Sequence, residues 1–197
     1  MRRFFVLLCF CFVFVPLGLQ SAFAQTVPQT MPMTDAQKAE MAHRVRLEFL
    51  HAWDGYRQYA WGHDDLKPLS NKPHDWYAHS LLMTPVDGLD TMILMGLTEE
   101  ANKTREFIAT NLSFDQDIEV KNFEITIRLL GGLLSSYQLT GDKRLLDLAE
   151  DLGTRLLPVF NSPTGMPYMY VNLKTGDRKS TRLNSSHRSL SRMPSSA

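Results

Sequence analysis

From Asn122 to Tyr137 the chain reads Asn-Phe-Glu-Ile-Thr-Ile-Arg-Leu-Leu-Gly-Gly-Leu-Leu-Ser-Ser-Tyr, an apolar run broken by one acid and one base four residues apart. At helical spacing Glu124, Arg128, Gly131 and Ser135 share one stripe. Phe123, Ile127, Leu130 and Leu134 fall on one flank of it, and Ile125, Leu129 and Leu133 on the other. The pattern predicts a helix ending near Gly141 that buries both flanks and presents its two charges to a confined space. A confined acid of this kind suits proton transfer, although an apolar surround and a neighbouring Arg push its pKa in opposite directions.

The same period recurs on either side. Thr34-Asp35 can cap a long helix running towards Ala60, with Met41, Val45, Phe49, Ala52, Trp53, Tyr56 and Ala60 as its core face. A second helix is expected from about Val86 to Leu97, and a third from Thr98 to about Asn111, where Glu99 and Glu100 suit the positive end of the helix dipole. Asp142 can cap a further helix whose Leu145, Leu148, Ala149, Leu152 and Leu156 form a core stripe as far as Pro158. The short loop at Gly141 makes the helices around it antiparallel neighbours. Gly62 to Asp75 reads as a turn-rich loop. In Met166 to Leu173, Tyr168, Tyr170 and Asn172 alternate with Met169, Val171 and Leu173, which predicts a strand ending in a Lys174-Thr175-Gly176 turn. The class is all-α with a short β element near the C-terminal end, without the sequence repeat of a helical solenoid.

Both ends depart from this pattern. Arg2 and Arg3, an apolar block from Phe4 to Leu19 broken by Pro16, and Ala22-Phe23-Ala24 have the form of a secretory signal over residues 1–24. The block is shorter than the roughly 20 apolar residues that span a bilayer, so no stable membrane anchor is expected after cleavage. Residues 25–33 form an extended lead-in with Pro28 and Pro32. Cys9 and Cys11 both lie in the leader, which leaves the exported part without a thiol. Residues 177–197 are rich in Ser and Arg and have no periodic apolar face. From Asp177 to His187 they resemble a translated sequencing adapter, so this tail is set aside from the fold. The formal charge of the whole chain is zero, yet residues 25–176 carry 20 acidic and 14 basic side chains, a formal charge of −6. Moderate acidity favours solubility and gives no basic surface for nucleic acid.

Several side chains are candidates for chemistry. Glu four residues before Arg is also the favoured order for a helix-stabilising ion pair, so spacing alone leaves Glu124 and Arg128 open to either role. His63, Asp64, Asp65, His74, Asp75 and His79 follow no established metal-ligand spacing, and turn and surface roles fit them better. Trp53, Trp61, Trp76 and Tyr77 can stack on sugar rings or fill a core. Asn102-Lys-Thr and Asn111-Leu-Ser are glycosylation sequons in a eukaryotic source.

Five ordered blocks carry a resemblance. They are Trp53-x-x-Tyr56, Gly62-x-Asp64-Asp65-Leu66-x-Pro68, Val86-Asp-Gly-Leu-Asp-Thr-Met92, Phe123-Glu-x-x-Ile-Arg-x-Leu-Gly-Gly-Leu-Leu-Ser135 and Pro167-Tyr-x-x-Val-Asn-Leu173. In that order they resemble the N-terminal part of glycoside hydrolase family 47, the class I α-1,2-mannosidases. The resemblance implies that residues 34–176 are the N-terminal part of a catalytic domain, an incomplete (α/α)7 barrel. It also implies removal of α-1,2-linked mannose from a glycan or glycoprotein with inversion, assisted by Ca²⁺. Position by position, Glu124 matches the general acid and Arg128 a residue contacting the sugar. Asp87 and Asp90 match a further acidic block, as pocket or structural support, although three residues apart at a helix start they also suit capping. Asp65 departs conservatively from the family's usual Glu.

The resemblance places the base carboxylates and the calcium-binding threonine beyond the end of this chain, so no metal ligand is expected within it and the fragment is expected to be inactive alone. Export to a periplasm or to the outside is expected from the leader. Two other readings remain open: a weakly catalytic or noncatalytic glycan-binding protein of quality-control type, and a helical interaction module in which Glu124 and Arg128 only lock neighbouring helices.

Overall fold

The computed structural model describes residues 32–179; the expected leader over 1–24, most of the lead-in and the tail beyond Lys179 lie outside the described residues. Helix α1 spans Asp35–Tyr59. Its start is a capping box: the Gln37 N–H donates to Thr34 Oγ1 at 3.2 Å, and the Thr34 N–H donates to Gln37 Oε1 at 2.9 Å. Only the C-terminal half packs, through Trp53, Tyr56 and the following Ala60. Met41 and Val45, expected in the core, are exposed.

The segment expected as a loop after α1 contains a hairpin of β1, Asp65–Lys67, and β2, Lys72–His74. Asn71 makes its turn at φ 51°, a left-handed conformation that Asn tolerates because its short amide can bond locally. Helix α2 then spans Met83–Leu94, three residues earlier than periodicity suggested at both ends. Pro85 fits the first turn, where no N–H is needed, and Gly96 closes the far end at φ 72°. Helix α3, Thr98–Asn111, has the expected bounds.

Strand β3, Glu119–Lys121, runs directly into a helical rod of three parts. They are α4, Asn122–Ile125, a π-helical turn over Thr126–Leu130, and α5, Gly131–Thr140. Gly141, at φ 72°, ends the rod, and Asp142 caps α6, Lys143–Leu156, by accepting from the Arg144 N–H at 3.1 Å. A 3₁₀ turn at Leu157–Phe160 contains Pro158. The expected strand from Met166 to Leu173 shortens to β4, Tyr170–Asn172, which lies between β3 and β5, Arg178–Lys179. Residues 178 and 179, assigned to the tail by composition, are therefore paired with β4.

Two helix hairpins, α2–α3 and α5–α6, sit side by side. Asp87 meets Arg128 and Asp90 meets Ser135, so α2 and the α4–α5 rod run in the same direction. Val86, Leu89 and Met92 of one and Ile125, Leu129 and Leu133 of the other are buried, with Leu145 and Leu152 of α6 behind them. Of the two flanks expected to be buried, the one formed by Ile125, Leu129 and Leu133 is, and the other is not. Phe123, Ile127 and Leu134 are 43 %, 53 % and 39 % exposed. The π turn inserts an extra residue and shifts the register, and Leu130 lies towards Gly153 of α6 instead of beside Ile127.

The contact between α2 and α5 turns on one of two adjacent glycines. A Cβ on Gly132 would lie 2.9 Å from Val86 Cγ1 and 3.2 Å from the Val86 carbonyl oxygen, whereas one on Gly131 meets nothing closer than 3.6 Å. Val86 is buried and β-branched, so it cannot swing aside. Gly132→Ala is expected to destabilise the fold by about 1–3 kcal/mol. Gly131→Ala should be neutral or stabilising by up to about 1 kcal/mol through helix propensity. Thermal unfolding of both variants checks this, and equal losses would contradict it.

Candidate active site

Three elements bring the charged stripe together. The rod is anchored at its start, where the Asn122 N–H donates to the Met169 carbonyl at 2.9 Å and the Lys121 N–H donates to the Tyr77 hydroxyl at 3.2 Å. Glu124 therefore projects from the first turn of a pinned helix. Burial is the main reason the Tyr77 phenol is pushed up, and the negative charges of Asp64 and Glu124 add to it. Arg128 lies in the π turn, a local widening that recurs at functional sites.

The Arg128 guanidinium joins the two helices. Its Nε donates to Glu124 Oε2 at 3.2 Å and its Nη1 donates to Asp87 Oδ2 at 2.8 Å. Trp76 supplies a third contact, its ring centroid 5.0 Å from the guanidinium carbon. One turn further along, Ser135 donates its hydroxyl to Asp90 Oδ2 at 2.8 Å, and Asp90 Oδ1 accepts from Thr91. Of the two readings of Asp87 and Asp90, pocket or structural support and capping, the structure excludes capping. They follow its first turn, which has no side-chain cap, and bond to the neighbouring helix instead. The side chain of Glu124 is 25 % exposed and that of Arg128 39 %, which leaves both within reach of a ligand.

The pairing is electrostatically uneven. Bonds to Asp87 raise Arg128 above its ordinary value despite partial burial, and Glu124 adds to the effect. Asp87 is also raised, because burial outweighs the pull of Arg128, and Asp90 and Glu124 repel its charge. A neutral Asp87 is thus favoured more than it would be in water. On its other side Asp87 borders a cavity of about 280 Å³ whose walls include Phe49, Trp53 and Tyr56; Glu124 does not line it.

A second acid shapes the site from beneath. Asp64 is fully buried, and its carboxylate accepts from the N–H groups of Trp76 (2.9 Å), Leu81 (2.7 Å) and Met83 (3.3 Å) and from the Ser80 hydroxyl (3.1 Å). Between the last two backbone donors Leu82 is held at φ 54°, ψ 42°, a strained conformation for a bulky side chain. Asp64 therefore sets where α2 begins and so where Asp87 and Asp90 fall. The imagined metal cluster resolves into separate His63–Asp75 and His74–Asp65 pairs, each at 2.9 Å. Among the described residues no three His, Cys, Asp or Glu side chains converge to hold a metal. Sequence reading missed the π turn, which has no sequence signal, and the hub role of Asp64, which was marked only by its place among turn formers and in one of the family-resembling blocks.

A pair of helix hairpins with a carboxylate, a guanidinium and further acids between two parallel helices makes this chain part of a larger helical scaffold with a polar site at the seam. A sequence profile described as Glycosyl hydrolase family 47 matches residues 48–197, and the chain belongs to that family. It is 50 % identical over 128 residues to the endoplasmic reticulum mannosyl-oligosaccharide 1,2-alpha-mannosidase of Homo sapiens, a match covering 65 % of this chain and 18 % of that protein. It is 45 % identical over 143 residues to the mannosyl-oligosaccharide 1,2-alpha-mannosidase MNS1 of Arabidopsis thaliana, covering 73 % and 25 %. An alpha-1,2-mannosidase from Trichoderma reesei has a similar structure, with TM-score 0.63 and 32 % identity over 71 % of this chain and 32 % of that one. The two hairpins are part of an (α/α)7 barrel. The chain spans about a fifth of the length of the first of these curated relatives.

Two substitutions probe this arrangement. Asp64→Asn turns an acceptor into a donor among buried donors and is expected to cost at least about 2 kcal/mol, read as a lower unfolding temperature. For Asp87, the raised folded-state pKa means that its contribution to stability is fully present below the ordinary aspartate value of 3.8 and is lost as pH rises through the folded-state value. Asp87→Asn has no such loss, so its unfolding temperature relative to the wild type should climb as pH rises from below 3.8 through the raised folded-state value. A relative fall over that range would show that Arg128, not burial, dominates at Asp87.

Proposed function

We propose that this chain contributes the acid side of an α-1,2-mannosidase active site, in a protein that removes terminal α-1,2-linked mannose from a glycan or glycoprotein. The observation that supports the reading is Glu124, half-buried, bonded by Arg128 and still open to solvent, in the most specific of the five blocks that resemble the family. In this reading Glu124 hands its proton to the glycosidic oxygen as the bond to the leaving sugar breaks, and Arg128 bonds sugar hydroxyls. The water attacks from the opposite face, giving inversion, and is activated by a second carboxylate some 6.5–9.5 Å away, as inverting hydrolases require. The names of the relatives support the substrate class: the human and plant proteins are mannosyl-oligosaccharide 1,2-alpha-mannosidases.

Calcium belongs to this proposal only through the family, because the described residues offer no cluster to hold it; no step is assigned to it. Export through the leader, to a periplasm or to the outside, is likewise part of the proposal. No helix among the described residues is long and apolar enough to cross a membrane.

A second reading has its own support, since the Arg128 to Asp87 bond ties two helices and would do so without any substrate. Glu124→Gln separates the two. It keeps the shape and an acceptor for Arg128 but cannot supply the proton. In the full-length gene product it is expected to lower release of mannose from α-1,2-mannobiose by at least about 100-fold with an unchanged unfolding temperature. Wild-type turnover would remove Glu124 from the chemistry, and a large fall in unfolding temperature would favour the helix-locking role.

A further inference from the structure

The segment between α1 and α2 carries a line of contacts that ends on Arg128. His74 Nδ1 lies 2.9 Å from Asp65 Oδ1, and the indole Nε1–H of Trp76 donates to Asp65 Oδ2 at 2.8 Å. The backbone N–H of Trp76 donates to Asp64 Oδ2 at 2.9 Å. Trp76 is therefore gripped twice, once by its backbone and once at the edge of its ring. Its aromatic face meets the Arg128 guanidinium, 5.0 Å from ring centroid to guanidinium carbon.

Geometry gives these contacts different jobs. Glu124 and Asp87 bond the guanidinium through its N–H groups, and those bonds direct the edges of the plane. They leave the plane free to rock about the line joining the two acceptors. A ring face attracts a cation from above or below the plane, so it restrains that remaining motion. The restraint is only as good as the ring's own fixity, and an indole free to turn on its two side-chain bonds would follow the guanidinium instead of holding it. Asp65 removes that freedom. Its carboxylate is in turn oriented by His74, which takes the oxygen the indole does not.

We infer that Asp65 is a positioning residue for Arg128, acting through the indole of Trp76 to hold the guanidinium in the orientation that engages the sugar. The inference rests on the reading that Arg128 contacts the substrate. It gives a task to Asp65, where this chain carries a shorter acid than the family's usual one. A purely local role, with Asp65 and Trp76 only stiffening the β1–β2 hairpin, predicts that their loss acts independently of Arg128.

A double-mutant cycle in the full-length gene product, with α-1,2-mannobiose as substrate, separates the two roles. Asp65→Ala and Trp76→Phe are each expected to raise KM by about three- to tenfold with a smaller change in kcat. In an Arg128→Lys background, whose ammonium lacks the planar fork, Asp65→Ala should change KM by less than about twofold. Single effects that multiply in the double variant would overturn the inference and leave the Arg128 reading intact. A wild-type KM for Arg128→Lys would instead overturn the sugar contact, and the inference with it. Unfolding temperatures are measured in parallel. Should Asp65→Ala fail to fold, the cycle of Trp76→Phe with Arg128→Lys is read by the same criterion, because Phe keeps a smaller ring face and loses the N–H that Asp65 holds.

Discussion

Two parallel helices must come close enough for one guanidinium to reach an acid on each, and the approach of Gly132 to Val86 sets that spacing. A methyl group at position 132 would push α5 away from α2 at the level where Arg128 bonds Asp87 and Ser135 bonds Asp90. Both bonds are already at 2.8 Å, and hydrogen bonds weaken steeply once stretched beyond about 3.2 Å. The packing contact and the polar contacts are thus one constraint, and the geometry around Glu124 follows from it.

Translation along the helices needs a separate device, because a close approach fixes separation but not register. Asp64 provides it. Among the described residues no cation pairs with the buried Asp64 carboxylate, so its lone pairs must be satisfied by other donors, and four between Trp76 and Met83 satisfy them. Those bonds hold Leu82 in a conformation it would not otherwise adopt and start α2 at Met83. Asp87 and Asp90 then face the rod one turn apart, opposite Arg128 and Ser135. The same carboxylate also holds the backbone of Trp76, so a single buried charge sets both the helix carrying Asp87 and the ring against Arg128.

What could be read from sequence follows the range of each interaction. Capping is local chemistry, and Thr34, Asp142 and Gly141 mark their helix ends as expected. The stripe of Glu124, Arg128 and Ser135 is likewise local, and it does face one neighbouring helix. The start of α2 was misplaced because a residue some twenty positions earlier decides it. The β1–β2 hairpin was hidden among turn formers, and the π turn leaves the hydrophobic spacing almost unchanged while moving Leu130 to the α6 side. Met41, Val45 and Ile127 show a further limit: apolar spacing marks a face as able to be buried and says nothing of what covers it.

Stability alone does not account for the acids around Arg128. A half-exposed ion pair contributes about 0–1 kcal/mol, and a third carboxylate beside it is repulsive. Asp87 is raised despite a direct bond to a guanidinium, so its charge is held there against a net electrostatic and solvation cost. Apolar side chains between α2 and the rod, such as the Val86, Leu89, Leu129 and Leu133 already present, would join the helices at no such cost. An interface shaped only to hold helices together would extend that seam. This one instead interrupts it with Glu124, Arg128, Asp87, Asp90 and Ser135 and braces the group with Trp76 from a separate segment. Charge ordered at a cost to stability is a mark of functional sites, and under the proposed function the task of this braced acid and guanidinium is to grip a polar ligand and move a proton to it.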